Sequence, residues 1–108
     1  MNSIQLITAQ ALKKIIDVNK DLYLIDVREN DEWAAGHIHA AIHIPLCQLT
    51  ENINAYCPDK TQPIYLHCKG GVRSLKAAEL LAQLGYTKLY SVEGGFLAWL
   101  ELTTHQEQ

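Results

Sequence analysis

Residues Ile64–Gly85 read IYLHCKGGVRSLKAAELLAQLG, and their order decides the fold. Ile64-Tyr65-Leu66-His67 is a short apolar-rich run of the kind that forms a strand buried on both faces. Cys68-Lys69-Gly70-Gly71 follows as a turn. Ala77, Leu80, Leu81 and Leu84 then recur at i, i+3, i+4 and i+7, the spacing of one helix face, and Gly85 supplies a stop. The spacing predicts a helix beginning near Val72 or Arg73.

The same phrase repeats on either side. Upstream, Leu22-Tyr23-Leu24-Ile25 reads as a second buried strand, ending in Asp26-Val27-Arg28. Before it, the apolar run Ile4–Ile7 leads to Thr8, a helix N-cap, and to a stripe of Leu12, Ile15 and Ile16. Between the two buried strands lie a short acidic helix over Glu29–Ala35, stopped by Gly36, and a weaker strand over Ile38–Ile44, ended by Pro45. A short helix over Gln48–Ala55 comes next. Downstream, Lys88–Ser91 reads as a last strand, and Glu93-Gly94-Gly95 turns into a helix carrying Phe96, Trp99 and Leu100. Alternating strands and helices predict an α/β fold with a largely parallel central sheet and helices on both faces. Residues 1–108 are expected to form one domain with its core between about 4 and 100. Parallel strands gather their C-terminal ends on one edge, where ligands of such folds sit, and Cys68 falls there.

Composition narrows the function. With 108 residues and 48% hydrophobic content, the chain can bury a core without metal or disulfide support. A net charge of −3 argues against a surface that attracts nucleic acid. No apolar run approaches the roughly 18 residues of a membrane span, and Met1–Lys14 has no signal-peptide pattern, so a cytoplasmic protein without membrane contact is expected. The cysteines are Cys47, Cys57 and Cys68, with no Cys-x-x-Cys and no Cys/His cluster at zinc spacing. No metal and no cofactor are expected. His37, His39 and His43 could share a strand face, which is weak support for a metal.

Chemistry concentrates in Cys68–Ser74. Paired glycines let a backbone turn successive N–H groups inward as an anion-binding nest, and a helix N-terminus adds further donors and the positive end of its dipole. Lys69 and Arg73 contribute charge. A thiol at the centre of such a cradle should have a lowered pKa and act as a thiolate nucleophile on an anionic substrate. Cys47 and Cys57 read as structural, with a resolving role open to either if it lies near Cys68.

Four motifs carry a resemblance. They are Leu24-Ile25-Asp26-Val27-Arg28-Glu29; Glu32–Ile38 with Ala41–Pro45; Cys68–Ser74; and Val92–Trp99. In this order they resemble the rhodanese family, and specifically its single-domain sulfurtransferases of thiosulfate sulfurtransferase type, over nearly the whole chain. Ala40 departs from the family pattern, which usually has glycine there. The resemblance implies that Cys68 attacks the outer sulfur of an anionic donor such as thiosulfate, carries it as a persulfide, and yields it to cyanide, a thiol or a protein acceptor. It implies that Lys69 and Arg73 orient the donor, that Gly70, Gly71 and Val72 offer backbone donors, that Ser74 completes the loop, and that Asp26 and Arg28 support it structurally.

Other readings compete. His67 precedes Cys68 and should point to the opposite sheet face as a packed core histidine rather than a base. Glu32 and His37 are expected to order the turn after the short helix, and Trp33 and Trp99 to pack. Related phosphatases and arsenate reductases place five residues between cysteine and arginine; Cys68 and Arg73 enclose only Lys69–Val72, a tighter cradle suited to a sulfur atom. A non-catalytic regulatory module and a persulfide relay to a sulfur carrier complete the alternatives.

Overall fold

The computed structural model describes residues 4–106. Five strands, β1 (Ile4–Ile7), β2 (Tyr23–Asp26), β3 (Ile42–His43), β4 (Ile64–His67) and β5 (Leu89–Val92), form one sheet in the order β1-β5-β4-β2-β3. Every neighbouring pair is parallel. The helices are α1 (Ala9–Val18), α2 (Asn30–Ala35), α3 (Leu49–Tyr56), α4 (Val72–Gln83) and α5 (Gly95–Gln106), with a 3-10 turn at Leu46–Gln48.

Alternation along the strands feeds two cores. Ile25, Leu66 and Leu89 face α3 and α4, where they meet Leu49, Ile53, Ala77, Ala78 and Leu81. Leu24, Tyr65 and Val92 face the other way, toward Leu12 of α1 and Phe96 and Trp99 of α5. This is the period-two rule at work, and it explains why the central strands are apolar at consecutive positions. Burying a side chain such as Leu12, which has no exposed surface, contributes about 2–5 kcal/mol relative to alanine.

The start signals hold. Thr8 caps α1 by accepting a hydrogen bond from the Ala11 N–H at 3.0 Å, and Glu29 with Glu32 forms a reciprocal capping box on α2. Two expectations need correction. The strand read over Ile38–Ile44 shrinks to Ile42–His43, because Ile38–Ala41 forms a turn closed by the Ala41 N–H on the Ile38 carbonyl. That turn buries Ile38 in the α1/α5 core. The buried face of α4 is Ser74, Ala77, Ala78 and Leu81, so Leu84 lies beyond the helix and is exposed. Small Ala77 and Ala78 let α4 lie close to the sheet and aim its first turn at the end of β4. Ala40 sits in the turn before β3, and no non-glycine residue among those described takes a positive φ, so its lack of glycine costs no backbone strain.

Asp26 is in register with His67 on one side and His43 on the other. The C-terminal ends of β2, β3 and β4 therefore finish level, and the loop after central β4 opens on that edge. No described helix is long and apolar enough to cross a membrane.

Candidate active site

Cys68 follows β4 directly and is almost wholly buried, with 1% of its surface exposed. The loop curls around its sulfur. The Gly71 N–H donates to Sγ at 3.1 Å and the Ser74 N–H at 3.4 Å. Gly71 takes φ +111° as the residue before α4, a conformation glycine adopts without penalty. Gly70 has no positive φ and a Cβ there would meet open space, so of the two glycines only Gly71 is demanded by the curl. Ser74 lies on the buried face of α4. Its hydroxyl is 3.7 Å from Sγ, 2.7 Å from the Ser91 hydroxyl on β5, and donates to the Gly71 carbonyl at 3.1 Å.

These donors act against burial. Burial pushes the Cys68 thiol up, but N–H groups of Ser74, Gly71 and Gly70 and the Ser74 hydroxyl outweigh it, and the thiol lies below its ordinary value. Backbone N–H groups at a helix start therefore favour the thiolate form of Cys68.

What aims those N–H groups inward is the opposite side of the loop. The first turn of α5 takes the loop's carbonyls: Phe96 N–H donates to the Cys68 carbonyl at 2.7 Å and Leu97 N–H to the Lys69 carbonyl at 3.2 Å. Gly95, at φ +53°, permits this approach, since a Cβ there would run into both carbonyls. Beneath lies a buried brace. Asp26 accepts from the backbone N–H and the guanidinium of Arg28, with the closest side-chain contact at 2.9 Å. Arg28 also donates to the Gly36 carbonyl at 2.8 Å and lies 4.2 Å over the Phe96 ring. Asp26 and Arg28 thus reach the loop through Phe96 and not by touching Cys68.

Arg73 is placed unexpectedly. Its fork donates to Glu32 on α2, Nη1 to Oε1 at 2.7 Å and Nη2 to Oε2 at 3.0 Å. The hydrogen bond from Arg73 holds the Glu32 carboxyl well below the usual carboxylate range, at about 2. The Lys69 side chain makes no ion pair or hydrogen bond among the described residues and stands exposed at the mouth. Val72 is 81% exposed.

Sequence reasoning missed Glu32 as a partner of the loop, and Gly95, Phe96 and Ser91 as its supports. The Gly94-Gly95 doublet was a usable signal; the 41-residue separation of Glu32 and Arg73 hid the other. His67 behaves as read: fully buried, it faces Phe96 on the α5 side, opposite Cys68. His37 and His43 stack on Trp33 with ring centroids 3.5 and 4.7 Å away, and no group able to hold a metal occurs among the described residues. Cys57 is buried at the C-terminal end of α3, away from the strand ends that carry Cys68. Cys47 is exposed in the 3-10 turn after β3. A cavity of about 530 Å³ between the first turn of α1 and α5 is lined by Thr8, Gln10, Glu93 and Glu101 and by none of the three cysteines. A groove of about 330 Å³ runs beside the loop past Glu32, Lys69, Phe96 and Leu97.

A five-stranded parallel sheet carries a buried cysteine at the end of its central strand, with two backbone N–H groups aimed at the sulfur. The chain belongs to the rhodanese-like domain family, whose model matches residues 8–102. It is 47% identical to YqhL of Bacillus subtilis over 70% of this chain and 59% of that protein. It is 39% identical to YtwF of the same organism over 86% of this chain and 87% of the relative. The thiosulfate sulfurtransferase GlpE of Coxiella burnetii is 32% identical over 74% of this chain and 73% of its own. The rhodanese-like domain protein of Staphylococcus aureus superposes with a TM-score of 0.79 at 37% identity, covering 88% of this chain and 90% of the other. The chain thus spans about three-fifths of YqhL and most of the others, and membership supports sulfurtransferase activity in general.

Proposed function

We propose that the protein is a thiosulfate sulfurtransferase that carries sulfane sulfur as a persulfide on Cys68. The observation that supports this most is the pair of N–H groups, from Gly71 and Ser74, aimed at Sγ. In the first step the Cys68 thiolate attacks the outer sulfur of thiosulfate. A sulfur–sulfur bond forms to Sγ, the donor's own sulfur–sulfur bond breaks, and sulfite leaves with the electron pair. In the second step cyanide or a thiol attacks the terminal sulfur and the Cys68 thiolate departs. The reaction needs no cofactor, because both steps are displacements at sulfur.

Gly71 and Ser74 stabilise negative charge on either sulfur, and Lys69 offers a free cation at the mouth. Four residues between Cys68 and Arg73 leave a cradle better matched to one sulfur than to a tetrahedral phosphoryl group. A relay to a protein acceptor is a second reading. Exposed Val72 and Leu97 beside the loop favour it, since they give an acceptor protein apolar surface to bury. Free thiols at Cys47 and Cys57 fit a reducing cytoplasmic setting.

The thiosulfate:cyanide assay tests the reading. Cys68→Ser should abolish turnover, while Cys47→Ser and Cys57→Ser retain most of it. Turnover that survives in Cys68→Ser would end the proposal.

A further inference from the structure

The cavity between α1 and α5, at about 530 Å³, is larger than the groove of about 330 Å³ beside Cys68. It opens past the C-terminal ends of β1 and β5, on the sheet edge that also carries the active-site loop. Carbon makes up most of its lining: Ala9 of α1, Gly94 in the turn before α5, and Ala98 and Leu102 of α5. Glu93 and Glu101 line it as exposed carboxylates, and neither side chain has an ion pair or hydrogen bond among the described residues. The Glu93 backbone is fixed, since its N–H donates to the Ile7 carbonyl at 2.8 Å. No lysine, arginine or histidine lines the cavity. The start of α1 faces the same space, but its partial positive charge, roughly half a unit, is outweighed by two full carboxylates.

One wall of this cavity also backs the active-site loop. Gly94 lies against Gly71: a Cβ on Gly71 would come within 3.5 Å of the Gly94 nitrogen. Gly71 is the residue whose N–H donates to Sγ at 3.1 Å. The Gly94 carbonyl accepts the Ala98 N–H at 3.1 Å, closing the turn whose Phe96 and Leu97 N–H groups hold the Cys68 and Lys69 carbonyls. A Cβ on Gly94 would lie 2.8 Å from that of Ala98, so this wall is already tightly packed. A group seated against Gly94 and Ala98 therefore bears on the backbone that presents Gly71 to the sulfur.

We propose that this cavity is a second ligand site, taking a small organic cation with an apolar body, and that its occupancy holds the active-site loop in its curled form. The carbon lining takes the body and the two carboxylates take the charge. The volume falls within the roughly 300–1,000 Å³ of small-molecule sites. The same carboxylates repel an anionic sulfur donor, so the ligand of this cavity differs in charge from the substrate proposed for Cys68. A loop held inward keeps the Gly71 and Ser74 N–H groups on the sulfur, and the ligand thus favours the thiolate. The coupling is reciprocal: the thiolate form binds the cation more tightly than the thiol form does.

Titration of the 108-residue chain with phenethylammonium chloride, followed by proton–nitrogen NMR at constant ionic strength, tests this, with phenethyl alcohol as the uncharged counterpart. The cation should shift the amides of Ala9, Gly94 and Ala98 saturably, and the alcohol should bind more weakly by about threefold or more. Glu93→Gln combined with Glu101→Gln changes two exposed side chains and leaves the fold intact. It should weaken the cation about three- to tenfold, the scale of two screened surface contacts, and leave the alcohol unchanged. Saturating cation should also lower the pH midpoint of Cys68 alkylation by about 0.3 units, equivalent to a twofold coupling. Absence of saturable shifts at Gly94 and Ala98, equal affinity for cation and alcohol, or an affinity indifferent to the double variant overturns the site. Binding at the cavity with an unmoved or raised alkylation midpoint overturns its link to the loop. Neither readout involves sulfur transfer, so the thiosulfate reading stands or falls separately on the loading of Cys68.

Discussion

The Cys68 sulfur faces a small number of polar groups, and Ser74 contributes two of them: a backbone N–H that donates at 3.4 Å and a hydroxyl 3.7 Å away. The hydroxyl can be replaced without touching the backbone. Ser74→Ala should raise the pH midpoint of Cys68 alkylation, because one of the groups that lower the thiol is lost while burial, which raises it, remains. The sign follows from the charged form being the one stabilised. Alkylation of the wild type should reach half its maximal rate below the range of an ordinary thiol, about 8.5, and the variant should move toward it. A variant whose midpoint is unmoved or lower would mean that the backbone alone holds the thiolate. The Ser91 hydroxyl at 2.7 Å would also lose its partner, so a modest loss of stability, about 1 kcal/mol, should accompany the shift in urea unfolding.

At the scale of elements, the site is a junction of α4 and α5 over the end of β4. α4 supplies N–H groups to the sulfur side of the loop, and α5 supplies them to its carbonyl side. Gly95 decides whether α5 can approach. Gly95→Ala should cost about 1–3 kcal/mol in urea unfolding, from a side chain forced to φ +53° and against the Cys68 and Lys69 carbonyls. It should also raise the alkylation midpoint of Cys68, since the loop N–H groups would no longer be held inward. Gly70→Ala is the control, with open space around it, and should change stability by no more than about 0.5 kcal/mol. Equal losses at both positions would show that α5 does not brace the loop. These elements were largely legible in the sequence, because strand β4 and helix α4 carry strong apolar patterns and Thr8 and Gly85 punctuate them. The cradle was legible too, as cysteine, glycine pair and helix start are contiguous. What stayed hidden depends on contacts between segments far apart. No local pattern shows that Arg73 meets Glu32, that α5 grips the loop, or that Ser74 turns toward Ser91. The buried set of α4 lies one turn nearer its start than the leucine stripe suggests, because Ala77 and Ala78 allow close packing against the sheet.

At the scale of the whole molecule, two cores share one sheet, and His67, like Asp26 and Arg28, is an ionisable group buried where the α5 core meets the site. Neither ring nitrogen has a hydrogen-bond partner among the described residues, and Asp26 Oδ2 is 3.6 Å away. Burial holds His67 below the ordinary histidine value, against the pull of Asp26. A histidine lowered in the folded state takes up its proton more readily when unfolded, so stability is full above the unfolded value near 6.5 and falls as pH drops below it. Thermal unfolding of the wild type should show this decline between about pH 6.5 and 5, and His67→Leu should flatten it. A decline of equal slope in both would assign the effect to other groups. Alkylation and unfolding bear on how the site is held, whereas the claim that it carries sulfur is tested by weighing the protein. The 108-residue chain is incubated with thiosulfate, desalted without reductant, and measured by intact mass spectrometry. The protein should gain one sulfur atom, mapped to Cys68, removed by cyanide and absent from Cys68→Ser. No gain, or an equal gain in Cys68→Ser, would contradict sulfur transfer through Cys68.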